Sequence, residues 1–580
     1  MHSSEESTSG RSGFPTDGVP LVSLWLFGAA VVTASRFLNA ADPGHDVGRQ
    51  VLAAQNLLAG RGLSYFSHSA LDLSEPANLV TLTGFSAGYS LIAAALIALG
   101  LDVRLAVKVI PAAATILGWW GWGRLSNPFL QPGCSRGGAW RVAASLMAMI
   151  TPLLFTIPWS GTDILLWASI PWALEFVIRG SRTNGVSYPA YDFLAGAVCG
   201  LAVLMRYASV FLPACVGLVV LWQSHRDWRT LVRRWAFVAV GVLPPVLLQI
   251  YINYVAANVT AMPGGLFNGA VVTPVDRFVH GISLLYTANE FWAFWVPGKI
   301  RALLTDGTAG SVWPLLVVLV AAAVLAIVLT QYLREANGAD ASRDARLVSS
   351  TLFFLLPCVL LASTAVGDYD YVADRRYYWP LLPLATFVAY SVAARNASGA
   401  MSRLVSGGAV LYVIGYMSMI CVFAILLFTP SRVGATQRLK LMGDEIRAWP
   451  SFAVRHELSP ARQLFLGLHR KDPGALLLTS QTAALVWDPG VDRSKVVELS
   501  CPMLEAERVT GPAHLIILTF DQGAPDQLWF YAGTGLGGGV LPSDCFQRLP
   551  GLRLVQRFPV EGLKVLEARV PAGQRVVLKP

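Results

Sequence analysis

Apolar runs alternate with polar breaks along this chain, and run length sorts them into two kinds. Runs near 20 residues can cross a hydrocarbon core of about 30 Å as helices, whereas runs of about 10 to 14 cannot. Spans are expected at roughly 20-38, 104-123, 140-158, 163-179, 191-205, 208-222, 235-256, 312-332, 347-366, 377-394 and 405-428. The run "GYSLIAAALIALGL", 88-101, is too short and is expected at the outer surface. Lys and Arg gather in cytoplasmic loops, which tests that choice. Arg124, Arg136 and Arg141 share one loop, and Arg179 and Arg182 the next on that side. Arg226, Arg229, Arg233 and Arg234 follow, then Arg334, Arg343 and Arg346, then Arg395 and Arg403. All of these become cytoplasmic only if 88-101 does not cross. The pattern therefore predicts about eleven spans, an inside N-terminus and an outside C-terminus.

Composition agrees with a polytopic α-helical membrane protein: 54% of the 580 residues are apolar, 14% are charged, and 18 are Trp. The net charge of +9 resides in Arg dispersed through short loops, so it reads as topology and not as a nucleic-acid partner. Residues 1-19 are polar and lack a basic region feeding a cleavage site, which predicts a disordered cytoplasmic tail and not a cleaved signal.

Under this topology the unusual polar residues share the outer face. The transmembrane region, 20-429, has external loops at 39-103 and 257-311. The first begins "GHDVGRQVLAAQNLLAGRG", in which Val47 to Ala59 has helical periodicity and is expected to lie along the membrane surface, with Arg49, Gln50 and Asn56 turned elsewhere. Asp46 precedes it in the N-cap region, where a capping role is one reading. The second loop carries Asp276, Arg277, His280, Glu290, Lys299 and Arg301, and "GDYDYVADRRYYWP" adds Asp368, Asp370, Asp374, Arg375 and Arg376. Asp163 opens the fourth span from that side, where after "SGT" it could also be a helix cap, as Arg375 and Arg376 could be interfacial anchors. Acids, cations and aromatics on one membrane face suit an amphipathic lipid-linked anion.

Residues 430-580 leave the membrane as a small extracytoplasmic α/β domain. "RVGATQRLKLMGDEIRAW" has helical periodicity, and "GALLLTS", "KVVELS" and "HLIILTF" read as buried strands. "LRLVQRF" and "LKVLEARV" read as a terminal hairpin around "PVEG". The Gly-rich segment 533-540 lacks the strand-turn-helix context of a phosphate loop. Cys501 and Cys545 are the two cysteines expected outside, and their pairing is expected there.

The order of these segments resembles the GT-C-type membrane glycosyltransferases, the superfamily of protein O-mannosyltransferases and lipid A aminoarabinose transferases. "HDVGRQVLAAQNLLAGRGLSYF", "TGFSAGYSLIAAALIALG", "AGAVCGLAVLMRYASVFLPA" and "DRRYYWPLLPL" carry the likeness over about residues 20-430. The resemblance implies an inverting glycosyltransferase at the cell (inner) membrane. It would move a sugar from a polyprenyl-phosphate donor to a hydroxyl of a lipid, glycan or protein acceptor on the outer face.

Asp46 matches the family's general base, whose carboxylate takes the acceptor proton, and Asp163 matches a second acid. Arg375 and Arg376 would hold the leaving phosphate, which needs cations more than an acid. His45, Arg49, Asp374, Tyr377 and Lys299 are further substrate contacts by the same likeness. His45, Val47 and Gln50 stand where relatives often have a second acid and a Tyr. That departure leaves the acceptor class open, along with a divalent metal; no cofactor follows from the residues. A transporter or flippase is the rival class, but no inverted repeat or mid-membrane ionisable residue favours it. A non-catalytic scaffold would explain the topology without the clustered acids and arginines.

Overall fold

The computed structural model of the chain describes residues 27, 30, 31, 34, 45–67, 72, 74, 77–126, 162–180, 189–257, 460–479, 491–498, 508–520, 546, 549–558 and 563–577. The expected spans at 140-158, 312-332, 347-366, 377-394 and 405-428 lie outside the described residues, as do the 257-311 loop, Cys501, Cys545 and the 533-540 segment.

The N-terminal part is helical. Its helices are α1 (His45–Leu58), α2 (Gly88–Ala98), α3 (Val103–Ser126), α4 (Thr162–Gly180), α5 (Pro189–Met205), α6 (Phe211–Ser224) and α7 (Trp228–Ala257). Each expected span from 104-123 to 235-256 that falls on described residues is one of these helices. Val103–Leu125 and Trp228–Val255, at 23 and 28 residues, are long and apolar enough to cross a membrane. Helix α7 leaves Val232, Trp235, Leu243, Leu247 and Tyr251 exposed, an apolar flank open to its surroundings.

Contacts at a constant offset show how α5 and α7 run. Asp192 meets Arg234, Gly196 meets Val238 and Gly200 meets Val242, so the two helices are parallel. Glycine sets their distance: a Cβ at Gly196 would lie 2.1 Å from the Val238 oxygen, and one at Gly241 2.2 Å from that of Phe193. Helix contact through small residues in this way is how apolar helices pack without a hydrophobic driving force between them.

Arg229, Arg233 and Arg234, expected in a loop, all lie within α7, and the last of them is buried. Arg234 is 2% exposed, with its guanidinium bonded to both Asp192 oxygens at 2.8 to 3.2 Å. Gln223 Oε1, Ser224 Oγ and the Val177 carbonyl accept its other N–H groups. Burial of two charges is tolerable here because nearly every lone pair and proton is used.

The C-terminal part is a mixed sheet beside a helix. Its elements are α8 (Pro460–Lys471), β3 (Leu476–Thr479), β4 (Val496–Glu498), β5 (Arg508–Thr510), β6 (Ala513–Phe520), β7 (Arg553–Phe558), β8 (Leu563–Val570) and β9 (Arg575–Val577); β1 (Ser64–Ser67) and β2 (Asn78–Thr81) form a hairpin in the first loop. The five-stranded sheet has the order β4-β3-β6-β8-β7, parallel from β4 to β6 and antiparallel from β6 to β7. The continuous apolar runs of β3 and β6 follow from burial on both faces. Leu477, Ile516 and Leu518 pack under α8 with Phe465, while Leu476, Leu478, Leu515 and Ile517 face the opposite core with Phe546. The expected strands and terminal hairpin are present, whereas α8, β5 and β9 carry weaker patterns and were not anticipated.

Candidate functional site

The first loop folds inward. Helix α1 begins at His45, so Asp46 lies inside its first turn and not at an N-cap before it. Nor is α1 a two-faced surface helix. Val47, Val51 and Ala54 are buried, and so are Gln50 and Asn56, which the pattern turned away. The reason lies in α2, whose residues Tyr89, Ala93 and Ala94 join that core together with Val107 and Ile110 of α3. Ser90 Oγ donates to the Gln50 carbonyl at 2.8 Å, and Asn56 Nδ2 donates to the Ser64 carbonyl at 2.8 Å. The segment 88-101 was expected at the outer surface; its helix α2 is 11 residues, about 16 Å at 1.5 Å per residue, and its N-terminal half is buried.

Leu165 of α4 packs against the same core. Asp163 lies two residues before it, in the first turn of α4, and Asp46 lies one residue before Val47. Val47 of α1 and Leu165 of α4 thus contribute to one hydrophobic cluster.

Arg49 is half-buried, with its guanidinium carbon 5.4 Å from the Tyr65 ring centroid, a cation–π arrangement that fixes α1 against β1. Arg375, Arg376, Asp374, Tyr377 and Lys299 lie outside the described residues. Among the described residues no group of three or more His, Cys, Asp and Glu could hold a metal ion.

A polar network that the sequence pattern did not single out lies at the start of α2. Gln249 of α7, 3% exposed, accepts from the Ala87 N–H at 2.8 Å and donates to Tyr207 Oη at 3.1 Å and Asn253 Oδ1 at 2.9 Å. Tyr207 Oη donates in turn to Asn253 Oδ1 at 3.0 Å. The signal was present in "LLQIYINYV": two amides four residues apart occupy one face of an apolar helix, and such groups need partners.

The two-stranded ribbon of β5 and β9, separate from the five-stranded sheet, touches the first loop. Asp72 Oδ2 accepts from Thr510 Oγ1 at 2.6 Å, and Thr510 N–H donates to Ser74 Oγ at 3.2 Å. Burial pushes the Asp72 carboxyl up, but bonds from Ser74 and Thr510 outweigh it and hold the group below the ordinary aspartate range. On the five-stranded sheet, His514 Nδ1 meets Asp472 Oδ2 at 2.6 Å and His514 Nε2 meets Glu567 Oε1 at 2.9 Å, while Arg553 donates to Glu567 at 2.7 Å.

No protein-family model matches the chain, and no curated protein matches it. Two solved structures resemble it over nearly its whole length. ArnT from Cupriavidus metallidurans bound to undecaprenyl phosphate superposes with a TM-score of 0.48 at 14% identity, covering 97% of this chain and 100% of that one. ArnT from the same organism in the apo state gives 0.47 at 14%, covering 95% and 97%.

Proposed function

We propose that the chain is an integral membrane glycosyltransferase that takes a sugar from a polyprenyl-phosphate donor and passes it, with inversion, to an acceptor hydroxyl at the outer membrane face. What supports this reading is that Val47, in the first turn of α1 with Asp46, and Leu165, in the first turn of α4 with Asp163, contribute to one hydrophobic cluster.

Asp46 acts as general base, removing the acceptor proton as the hydroxyl attacks the anomeric carbon opposite the lipid phosphate. Asp163 orients the acceptor. The departing phosphate already carries its charge, so Arg375 and Arg376 stabilise it by bidentate hydrogen bonds without donating a proton. The apolar flank of α7 faces lipid, the N-terminus is cytoplasmic, and the β5–β9 ribbon of the C-terminal part docks on the outer loop through Asp72 and Thr510.

The test is transfer of label from a panel of radiolabelled polyprenyl-phosphate sugars by membranes containing the protein. Label reaching lipid, glycan or protein in membranes with the protein, and not in those without it, supports the reading. Movement of intact lipid-linked sugar across the bilayer without bond cleavage would favour the transporter class instead.

A further inference from the structure

We infer that Gln249 is a positioning residue: from α7 it fixes the start of α2, and through α2 it sets the placement of the helix that carries Asp46. The inference deepens the glycosyltransferase reading and rests on it.

The chain of contacts is continuous. No nearby side chain caps the N-terminus of α2, and the Ala87 N–H is taken by Gln249, 162 residues away in sequence. Gln249 can hold that position because its amide is held in turn. Both of its N–H groups are used, on Tyr207 and Asn253, and the Tyr207 hydroxyl closes the triangle onto Asn253. An amide with all its partners fixed has one orientation, so it presents Oε1 to Ala87 and not Nε2.

The start of α2 is pressed against α5 as well. A Cβ at Gly88 would lie 2.6 Å from the Leu204 oxygen, so only glycine permits the approach. From there Ser90 Oγ reaches the Gln50 carbonyl of α1, one turn beyond Asp46, and Tyr89 fills the core around Val47 and Val51. Helix α1 thus takes its placement from α2, and α2 from Gln249. Neither Gln249 nor Ser90 need touch substrate for this. A general base must lie within hydrogen-bond reach of its proton, and displacement by about 1 Å can cost about 10²-fold in rate.

The experiment is a double-mutant cycle on the full-length protein, using the polyprenyl-phosphate sugar that gives transfer. Gln249→Leu is expected to lower kcat about 10- to 100-fold while changing KM for the donor less than about threefold. Ser90→Ala, a milder cut in the same chain, is expected to lower kcat about 3- to 10-fold and serves if Gln249→Leu does not fold. In an Asp46→Asn background either substitution should cost less than about threefold, because the group being positioned is already gone. Full multiplicative losses in that background, or unchanged kcat in both single variants, would overturn the inference and leave the catalytic assignment standing. Full turnover in Asp46→Asn alone would overturn the catalytic assignment and the inference together.

Discussion

Arg234 and Asp192 are the two most completely buried opposite charges among the described residues, and each exists in that setting only because of the other. Removing one partner leaves an uncompensated charge, at a cost of about 3–5 kcal/mol. Arg234→Met is therefore expected to lower the thermal midpoint of the detergent-solubilised protein sharply, and Arg233→Met, on the exposed neighbour, to leave it nearly unchanged. Equal midpoints for the two would mean that the pair contributes nothing. The sequence marked both arginines as loop cations, because adjacency in "VRRW" hides which of them points into the bundle. It also named Asp46 and Asp163 through their place at the outer ends of segments. Gln249 escaped notice for a physical reason: a neutral amide raises no alarm in a hydropathy profile, although its burial demands the same accounting as a charge.

At the scale of elements, glycine spacing and one carboxylate set how pieces meet. Gly241→Val would drive two methyl groups into the Phe193 backbone, whereas a Cβ at Gly217 has its nearest neighbour, Trp235 Nε1, at 3.9 Å. The valine variant should lose folded protein by size-exclusion, at a cost of at least about 1–3 kcal/mol, and Gly217→Ala should not. The Asp72 latch makes a prediction in pH. Its carboxyl titrates lower when docked than when free, so docking is fully stabilised above the ordinary aspartate range and loses that support as pH falls through the docked value. Protection of the Thr510 amide, measured against its intrinsic exchange rate at each pH, should hold from about pH 7 to about pH 5 and fall once the pH drops below the ordinary aspartate range. Asp72→Ala should lower it at neutral pH. Retained protection in that variant would mean that the latch is not what docks the ribbon. Helix and strand existence were legible because runs of period 3.6 or continuous apolar character report burial directly. The inward packing of α1 and α2 was not, since amphipathicity says which side is apolar but not what covers the polar side.

For the whole molecule, the account requires that one face collect the first loop, the sheet and the candidate acids. The arginine alternation that orders the spans predicts that a cysteine placed at Val103, in an otherwise Cys-free protein, reacts with an impermeant maleimide from outside only. Labelling from the cytoplasm alone would reverse the assignment of 88-101. Fold class followed from composition and run length, and the α/β character of the C-terminal part from three short apolar runs. Neither could reveal that the β5–β9 ribbon rests on the first loop through Asp72 and Thr510, because contacts between 72 and 510 leave no local pattern in a single sequence.

The most direct measurement is turnover of Asp46→Asn beside Asp42→Asn, the nearest other acid at the start of the first loop, with the thermal midpoint followed in both as a check on folding. Asn keeps the shape of Asp and most of its hydrogen bonds but cannot accept the acceptor's proton, so Asp46→Asn should lower transfer by about 10²-fold or more while the midpoint is kept. Asp42→Asn should stay active. Retained transfer in Asp46→Asn would contradict the account: if Asp42→Asn were then inactive the base would lie four residues upstream, and if both were active the mechanism would fall.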